Sequence, residues 1–169
     1  MRCPGCGAEV PDVPELRSGH LYVGAAAGCW ASYAELLGRL LGDPSLAEAH
    51  MLSVDAYMAQ HPGVDERRAD QSVWVHLVGL CLSLEHGFGG VASARAKAGV
   101  AAPDAVFPWL TPPASLGEVT VLDVLAVHPA ESGAAVRRWA ESVWGAWSTH
   151  QPAIRERAGK FLGTGRKRP

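Results

Sequence analysis

The stretch of sequence that decides the fold runs from residue 45 to residue 87 and reads SLAEAHMLSVDAYMAQHPGVDERRADQSVWVHLVGLCLSLEHG. Ser45 followed by Glu48 has the spacing of a capping box, which marks the start of a helix. A Pro-Gly pair later in the stretch stops the helical pattern. The sequence therefore predicts a helix from Ser45 to Gln60 or His61.

A second, longer helix is predicted directly after that Pro-Gly pair. Asp65 is a suitable N-cap, and the apolar residues that follow it lie nearly all round the helix until His86 and Gly87. A helix that is apolar all round is expected to lie in the centre of a fold. Because the link between His61 and Asp65 is short, the two helices are predicted to be antiparallel neighbours.

Helical patterns also flank this pair, with apolar residues at three- and four-residue steps. Residues 87–118 are instead rich in Gly and Pro around one Ala-rich stretch, and their segment FPWLTPP (107–113) is predicted to be an ordered loop. Beyond it, Thr120 and Asp123 have the pattern of a capped helix start. The flanking helices are predicted at 24–41, 120–127 and 132–150.

These patterns predict an all-α protein, a compact bundle of about five helices that follows a loop-rich N-terminal segment. The chain has 169 residues, of which 48% are hydrophobic, so it can bury a core without disulfides. We expect residues 1–160 to form a single helical domain, with 1–20 as the lead segment. Residues 161–169 are predicted to be a flexible basic tail.

Composition argues against two classes of partner. Fifteen Lys and Arg residues stand against seventeen Asp and Glu residues, a formal charge of -2 that lacks the basic excess of a nucleic-acid binder. No apolar run approaches the roughly 20 residues that span a bilayer, and no apolar signal segment follows the first residues. We therefore expect a cytoplasmic protein that binds neither nucleic acid nor membrane.

The sharpest motif is Cys3-Pro4-Gly5-Cys6, since two cysteines at this spacing in a Pro/Gly turn can present both sulfurs to one zinc ion. A structural zinc needs four ligands. The next candidates along the chain are His20 and Cys29, which complete a C-x2-C-x13-H-x8-C pattern. This set predicts zinc as the cofactor, pinning the lead segment onto the first helix.

Other interpretations of these cysteines remain open at this stage. Cys3 and Cys6 could form a redox pair, although the βαβ setting of such pairs is missing, or they could carry no ligand. They could also bind zinc with other partners. Cys29 beside Trp30 could equally be a small core residue, and Cys81 in the apolar helix is predicted to be one.

The histidines suggest a pocket in the helical core. On an ideal helix His50, Tyr57 and His61 lie within about 40° of one another, but roughly 16 Å separates His50 from His61. They can therefore share a pocket wall but cannot chelate one ion. The alternative is that each histidine is simply hydrogen-bonded in the core or exposed.

His76 lies on a narrow face of small and polar residues in the otherwise apolar helix. If the two central helices are antiparallel, His76 should lie near the earlier part of the helix that carries His50. A second metal held by these two histidines and Asp55 is a further alternative. That set is weakened because Asp55 points about 140° away from His50 on an ideal helix.

The chain resembles a bacterial family of unknown function whose motifs are CPGCG, AxxGCWxxY, VDAYxxQHPG, QSVxVHLxxLCL, WLxPP and WAxSVWxAW. The resemblance covers nearly the whole chain and transfers no reaction. It implies that several pocket candidates belong to shared motifs. The matching segments are Cys3–Gly7, Ala25–Tyr33, Val54–Gly63, Gln71–Leu82, Trp109–Pro113 and Trp139–Trp147, and the residues concerned are Asp55, Tyr57, Gln60, His61, Gln71 and His76.

Three functional hypotheses follow. The first is a structural zinc protein with a small-molecule pocket in its core, the second a metal-dependent enzyme that uses His50, His61 and His76. The third is an interaction module that contacts a protein partner through the FPWLTPP loop. The predicted zinc ligands are Cys3, Cys6, His20 and Cys29; the predicted pocket residues are His50, Tyr57, His61, Gln71 and His76; the catalytic candidates are Asp55, Tyr57, His61 and His76.

Overall fold

The computed structural model describes residues 1–13 and 22–163, and within these ranges the chain is helical, so the all-α prediction is confirmed. Seven α-helices occur there, more than the predicted five. They are joined by loops and by three short 3-10 helices. The α-helices are α1 Ala27–Leu41, α2 Ala47–Gln60, α3 Arg67–His86, α4 Gly90–Val100, α5 Val121–Ala126, α6 Ser132–Ala146 and α7 Gln151–Gly159; the 3-10 helices are Pro44–Leu46, Pro129–Glu131 and Ser148–His150.

The two additional helices have simple local causes. The Ala-rich stretch within 87–118 forms α4, because Ala is the strongest helix former. The helix predicted over 132–150 ends early, as α6, and a 3-10 turn separates it from α7. Pro152 lies in the first turn of α7, where its missing N–H costs no hydrogen bond.

The pairing of α2 with α3 confirms the predicted antiparallel neighbours. The start of α2 lies beside the residues after α3, since the Glu48 carboxylate accepts the backbone N–H of Gly90. Further along α2, Asp55 packs against Gly79. The helix α3 also packs against α4, α6 and α7, which makes it central as predicted. Within the described ranges no helix combines the length and apolar character needed to cross a membrane.

The helix starts differ from the sequence prediction in two places. Ser45 and Glu48 do not form a capping box: the N–H of Ser45 bonds to the carboxylate of Asp43 at 2.9 Å, and Glu48 binds across to Gly90. Nor is Asp65 an N-cap, because α3 begins two residues later, at Arg67. The Ser45 cap is lost because its expected partner, Glu48, makes a tertiary contact instead.

The predicted cap at Thr120 is confirmed. Its backbone N–H donates to the Asp123 carboxylate at 2.7 Å, and both halves of the capping box are present. The other end of α5 is held by Arg39 of α1, whose guanidinium donates to three backbone carbonyls at the end of α5. The short helix α5 is therefore held at both ends by polar side chains.

Two tryptophans lie in the core. Trp139 and Trp147 are fully buried, and each indole N–H has a partner: Gln60 Oε1 at 2.8 Å for Trp139 and the Ala59 carbonyl at 3.1 Å for Trp147. Cys81 is also fully buried, which confirms it as a core residue. The two tryptophan hydrogen bonds anchor the end of α2 to α6 and to the residue that follows it.

The FPWLTPP loop is held onto the bundle through Trp74 and Arg157. Trp74 donates its indole N–H to the Pro108 carbonyl at 2.8 Å. The Arg157 guanidinium lies over the Trp74 ring at 4.3 Å and near the Phe107 ring at 5.1 Å. Phe107 and Trp109 are half-buried, so the loop is packed against the bundle rather than free in solvent.

Replacing Gln60 with Leu tests the anchor at the end of α2. The Gln60 side chain accepts from Trp139 and donates to the Leu116 and Val119 carbonyls at 3.1 and 2.8 Å. Gln60→Leu leaves buried polar groups unpaired and is expected to lower the free energy of unfolding by about 3 kcal/mol. The matched control Gln71→Leu, which removes one 3.4 Å bond, should lower it by less than about 1 kcal/mol. Equal losses in the free energy of unfolding of the two variants, measured by urea denaturation, would contradict the role of Gln60 as the anchor.

Candidate metal centre

Four metal-binding side chains converge at one end of α2. The sulfurs of Cys3, Cys6 and Cys29 and a ring nitrogen of His61 all lie within 4.8 Å of one another. Cys6 Sγ is 3.8 Å from Cys29 Sγ, which is 3.3 Å from His61 Nε2. The N-terminal segment supplies the first two residues, the first turn of α1 the third, and the residue after α2 the fourth. This group could hold a metal ion.

The two cysteines of the N-terminal segment lie on a tight turn, as expected from the Pro-Gly pair between them. The Gly7 N–H donates to the Cys3 carbonyl at 3.0 Å, and the Cys3 N–H donates to the Ala8 carbonyl at 2.9 Å. Gly7 has a φ of +73°, a conformation that favours glycine. The Ala26 N–H donates to Cys3 Sγ at 3.4 Å, so the approach to α1 also orients this sulfur.

Gly5 permits the close approach of the turn to α2. A Cβ atom at this position would lie 2.5 Å from Cδ2 of His61 and 2.7 Å from the Gly24 carbonyl oxygen. Both distances are shorter than real Cβ contacts. The turn therefore reaches His61 only because residue 5 has no side chain.

The orientation of His61 is set by its own helix. Its Nδ1–H donates to the Tyr57 carbonyl at 2.7 Å, so Nε2 is the ring nitrogen directed at the cysteines. The His61 carbonyl accepts the Gly24 N–H at 3.0 Å, so the backbone ahead of α1 is tied to the same residue. This is the arrangement of a metal-ligating histidine with its second nitrogen hydrogen-bonded.

Aromatic rings cover the inner side of the cluster. The Tyr57 ring stacks on the Tyr33 ring at 3.9 Å and lies 4.1 Å from the His61 ring. The Tyr57 hydroxyl donates to Cys29 Sγ over 3.8 Å. Since Cys3, Cys29 and His61 are 1% exposed or less, the cluster is shielded from water on this side.

The cluster perturbs the pKa values of its members. Hydrogen bonds from Cys29 and Cys6 hold the pKa of Cys3 far below its usual range, whereas the pKa of Cys29 is raised because the neighbouring sulfurs disfavour a second thiolate. Burial lowers the pKa of His61, but the hydrogen bonds and charges of Cys3 and Cys6 outweigh it and raise that pKa to about 9. The sulfurs and the imidazole thus interact closely enough to compete for the same protons.

Three of the four predicted zinc ligands belong to this cluster. The fourth residue that the structure brings there is His61, which the sequence indicated as a pocket residue, as a catalytic candidate and as one of the histidines of the alternative metal-dependent enzyme. His20 lies outside the described residues. Nothing in the spacing marks His61 as a ligand, since 31 residues separate it from Cys29; the one local signal is its position directly after a helix and before Pro62, where the chain turns.

The remaining predicted pocket residues are divided among different neighbourhoods. Tyr57 and His61 belong to the cysteine cluster. Gln71 donates to the Ala101 carbonyl after α4, and His50 is half-buried with its carbonyl accepting the Ser53 hydroxyl at 2.7 Å. His76 instead bonds to Asp55. A single pocket lined by all five residues stays a prediction.

Asp55, His76 and Lys97 form a buried polar triad between α2, α3 and α4. One carboxylate oxygen of Asp55 accepts from His76 Nδ1 at 2.7 Å and from Lys97 Nζ at 2.6 Å. The other oxygen faces Gly79, where a Cβ atom would collide with it. Asp55 is 1% exposed, and a charge buried to this degree persists only when it is paired.

Lys97 is the member of this triad that sequence reasoning missed. It lies on the Ala-rich helix α4 and is 8% exposed. The sequence does place Asp55 on the side of α2 opposite His50, but it does not identify the helices that pack there. A charged residue on an Ala-rich helix is expected to be solvated until its neighbours are known.

A second group of potential ligands, Cys81, Glu85 and His86, lies at the end of α3. Its carboxylate is already engaged, because Arg155 donates to Glu85 at 2.7 and 2.9 Å and Trp144 donates at 3.0 Å. Burial and the Glu85 charge raise the pKa of the Cys81 thiol to about 12. These contacts make the group an ion-pair network that joins α3 to α6 and α7.

Alanine substitutions at two glycines should change stability in opposite directions. Gly5→Ala forces the turn away from His61, so we expect a loss of at least about 2 kcal/mol in the free energy of unfolding. Gly38 lies inside α1, and a Cβ atom added there would have no neighbour within 4 Å. Gly38→Ala should therefore stabilise the protein by about 0.5–1 kcal/mol. Chemical denaturation measures both, and an unchanged Gly5→Ala variant would show that the turn does not need this close approach.

Comparison with known proteins gives a family but no function. Searches of curated proteins and of solved structures found no match to this chain. A family model described as a family of unknown function, DUF5946, matches residues 1–148, which include all four members of the cysteine–histidine cluster. The chain belongs to this family of unknown function, as the resemblance of its sequence motifs implied.

Proposed function

We propose that this chain binds one zinc ion through Cys3, Cys6, Cys29 and His61, and that the ion has a structural role. The observation that carries the proposal is the convergence of three sulfurs and one imidazole nitrogen within 4.8 Å. These donors come from three separate parts of the chain. Chance burial of cysteines would not also direct the ring nitrogen of an oriented histidine at them.

The distances support tetrahedral coordination. Zinc–sulfur bonds of about 2.3 Å imply sulfur–sulfur edges of about 3.8 Å, and shorter zinc–nitrogen bonds imply sulfur–nitrogen edges of about 3.6 Å. Cys6 and Cys29 are 3.8 Å apart, and Cys29 is 3.3 Å from His61 Nε2. Little movement is needed to close the site around an ion.

The donor set favours zinc among the common metals. Three thiolates and one imidazole are soft or borderline ligands, whereas magnesium and calcium require oxygen. A Cys3His set is a frequent structural zinc site. The hydrogen bonds from Ala26 and Tyr57 to the sulfurs would moderate the negative charge of such a centre.

A closed ligand shell supports a structural rather than a catalytic role. Catalytic zinc keeps one position open for water or substrate, whereas here four protein donors are available and three of their residues are fully buried. The ion would join the N-terminal segment to α1 and to the end of α2. In residues 1–13 only Cys3 and Val10 are buried apolar side chains, so this segment has little other packing to hold it.

Zinc analysis of purified variants tests the proposal. We expect one zinc per chain in the unsubstituted protein by elemental mass spectrometry. The double variant Cys3→Ser, Cys6→Ser should lose the metal and a large part of its thermal stability, because the binding free energy of a structural zinc contributes to folding. Cys81→Ser is the matched control, since it removes a buried cysteine outside the cluster and should retain the zinc.

The same assay distinguishes the two candidate histidines. His61→Asn should release zinc, and His20→Asn should retain it. Unchanged zinc content in the double cysteine variant would refute the site, and zinc release by His20→Asn alone would assign the fourth ligand to the other histidine.

The Asp55–His76 pair is a second candidate functional site, for a small molecule or a further metal ion. Asp55 holds the Nδ1–H of His76, so Nε2 is left as an acceptor, and the His76 side chain is 16% exposed. Lys97 supplies a compensating charge. This pairing of a buried carboxylate with an oriented imidazole is a common way to prepare a base or a ligand.

A paired measurement on His76→Gln tests the second candidate. If His76 serves a pocket, the denaturation midpoint should change little because the Asp55–Lys97 pair remains, while zinc or manganese binding beyond the first equivalent should be lost. His128→Gln, at an exposed position outside both groups of potential metal ligands, is the control. A stability loss of about 1–3 kcal/mol with unchanged metal binding would assign the triad to the core alone.

The other two hypotheses have less support. A metal site of His50, His61 and His76 would require His61 to leave the cysteines. An interaction site on the FPWLTPP loop has less surface to offer, because Phe107 and Trp109 are half-buried.

A further inference from the structure

A cavity of about 410 Å³ lies between the start of α3 and the loop that follows α4. It shares none of the residues of the cysteine–histidine cluster. One wall is formed by the residues at the N-terminal end of α3, the other by the residues after α4. Its lining residues are Asp65, Glu66, Arg67, Asp70, Pro103, Asp104, Ala105, Val106 and Phe107.

The cavity concentrates negative charge. Four carboxylate residues line it, against one guanidinium. The Arg67 guanidinium donates a hydrogen bond to the backbone carbonyl of Pro103 at 3.3 Å. For a chain with a formal charge of only -2, this is a local excess that favours a cationic ligand.

Asp70 is the independent sign of a ligand. The residue is 8% exposed, and its buried Oδ1 has no hydrogen-bond partner within the described ranges. A buried carboxylate oxygen without a partner is costly. Burial, followed by the nearby charge of Asp65, raises the pKa of this carboxyl. A bound cation would supply both the missing hydrogen-bond donor and the missing charge.

We propose that this cavity binds the ammonium group of an alkylamine, with Asp70 as the buried acceptor and Asp104 as an acceptor on the opposite wall. An ammonium nitrogen has three N–H donors, so it can bond to more than one acceptor. Charge-assisted bonds of this kind are stronger than neutral ones.

Shape and lining favour an organic cation over a metal ion. The cavity is far larger than a single ion, and Pro103, Val106 and Phe107 give it an apolar side. Within the described ranges, its carboxylates do not form a group with donor atoms inside 4.8 Å, as the cysteine–histidine cluster does. Val106 is 76% exposed and offers apolar surface for an alkyl chain.

Calorimetric titration of the full zinc-loaded chain at low ionic strength tests the proposal. Putrescine represents a free amine, and Nα-acetyl-lysine methylamide represents a lysine side chain of a peptide. Saturable binding of either supports the site, and their relative affinities identify the source of the ammonium group. Magnesium chloride at matched ionic strength is the comparison. Binding of neither amine, or tighter binding of magnesium, would overturn the proposal.

Two variants locate the binding. Asp70→Asn should weaken amine binding at least about tenfold, since a hydrogen bond to a charged group is lost. Asp104→Asn should also weaken amine binding. Because Asp104 is exposed in a loop, this variant tests the site even if Asp70→Asn does not fold. Glu35→Gln removes an exposed charge from α1 and should leave the affinity unchanged. Equal affinity of the Asp104→Asn variant and the unsubstituted chain would contradict the site.

Discussion

The end of α2 depends on two consecutive polar side chains that are buried against different partners. Gln60 satisfies the indole N–H of Trp139 and two loop carbonyls, whereas His61 turns its Nε2 toward three cysteines. Neither side chain can be buried without these partners. As a result, α6, the loop before α5 and the N-terminal segment must all meet α2 at one place. The antiparallel packing of α2 on α3 extends from this point toward the start of α2.

The core contains polar groups at two levels along α2, and the free-energy cost of burying them is offset in a different way at each level. At the end of the helix, sulfur and imidazole donors gather where a cation can neutralise them. Earlier in the helix, Asp55 is neutralised within the protein by Lys97. The Gly79 position makes this second arrangement feasible, because a side chain there would displace the carboxylate. The proposed zinc site and the triad thus cross-link different helices to the same central element.

The three candidate sites all lie within the part of the chain that the family model covers, residues 1–148. The cysteine–histidine cluster, the buried triad and the acidic cavity fall inside it, while α7 lies beyond it. The proposed roles divide accordingly: an internal metal centre holds the N-terminal segment, and the acidic cavity at the bundle's edge offers an accessible site. Binding at the edge would need no opening of the core.

The sequence by itself determined the helical class, the α2–α3 pair and the cysteine turn, because capping, turn residues and apolar periodicity are properties of neighbouring residues. It also indicated that Asp55 faces away from His50. Only the tertiary structure decided that His61 joins the cysteines and that Lys97 meets Asp55. These partners come from distant segments, and their approach depends on how whole helices pack. The capping box expected at Ser45 is absent partly for the same reason, since Glu48 bonds to the distant Gly90, while Ser45 itself bonds to Asp43.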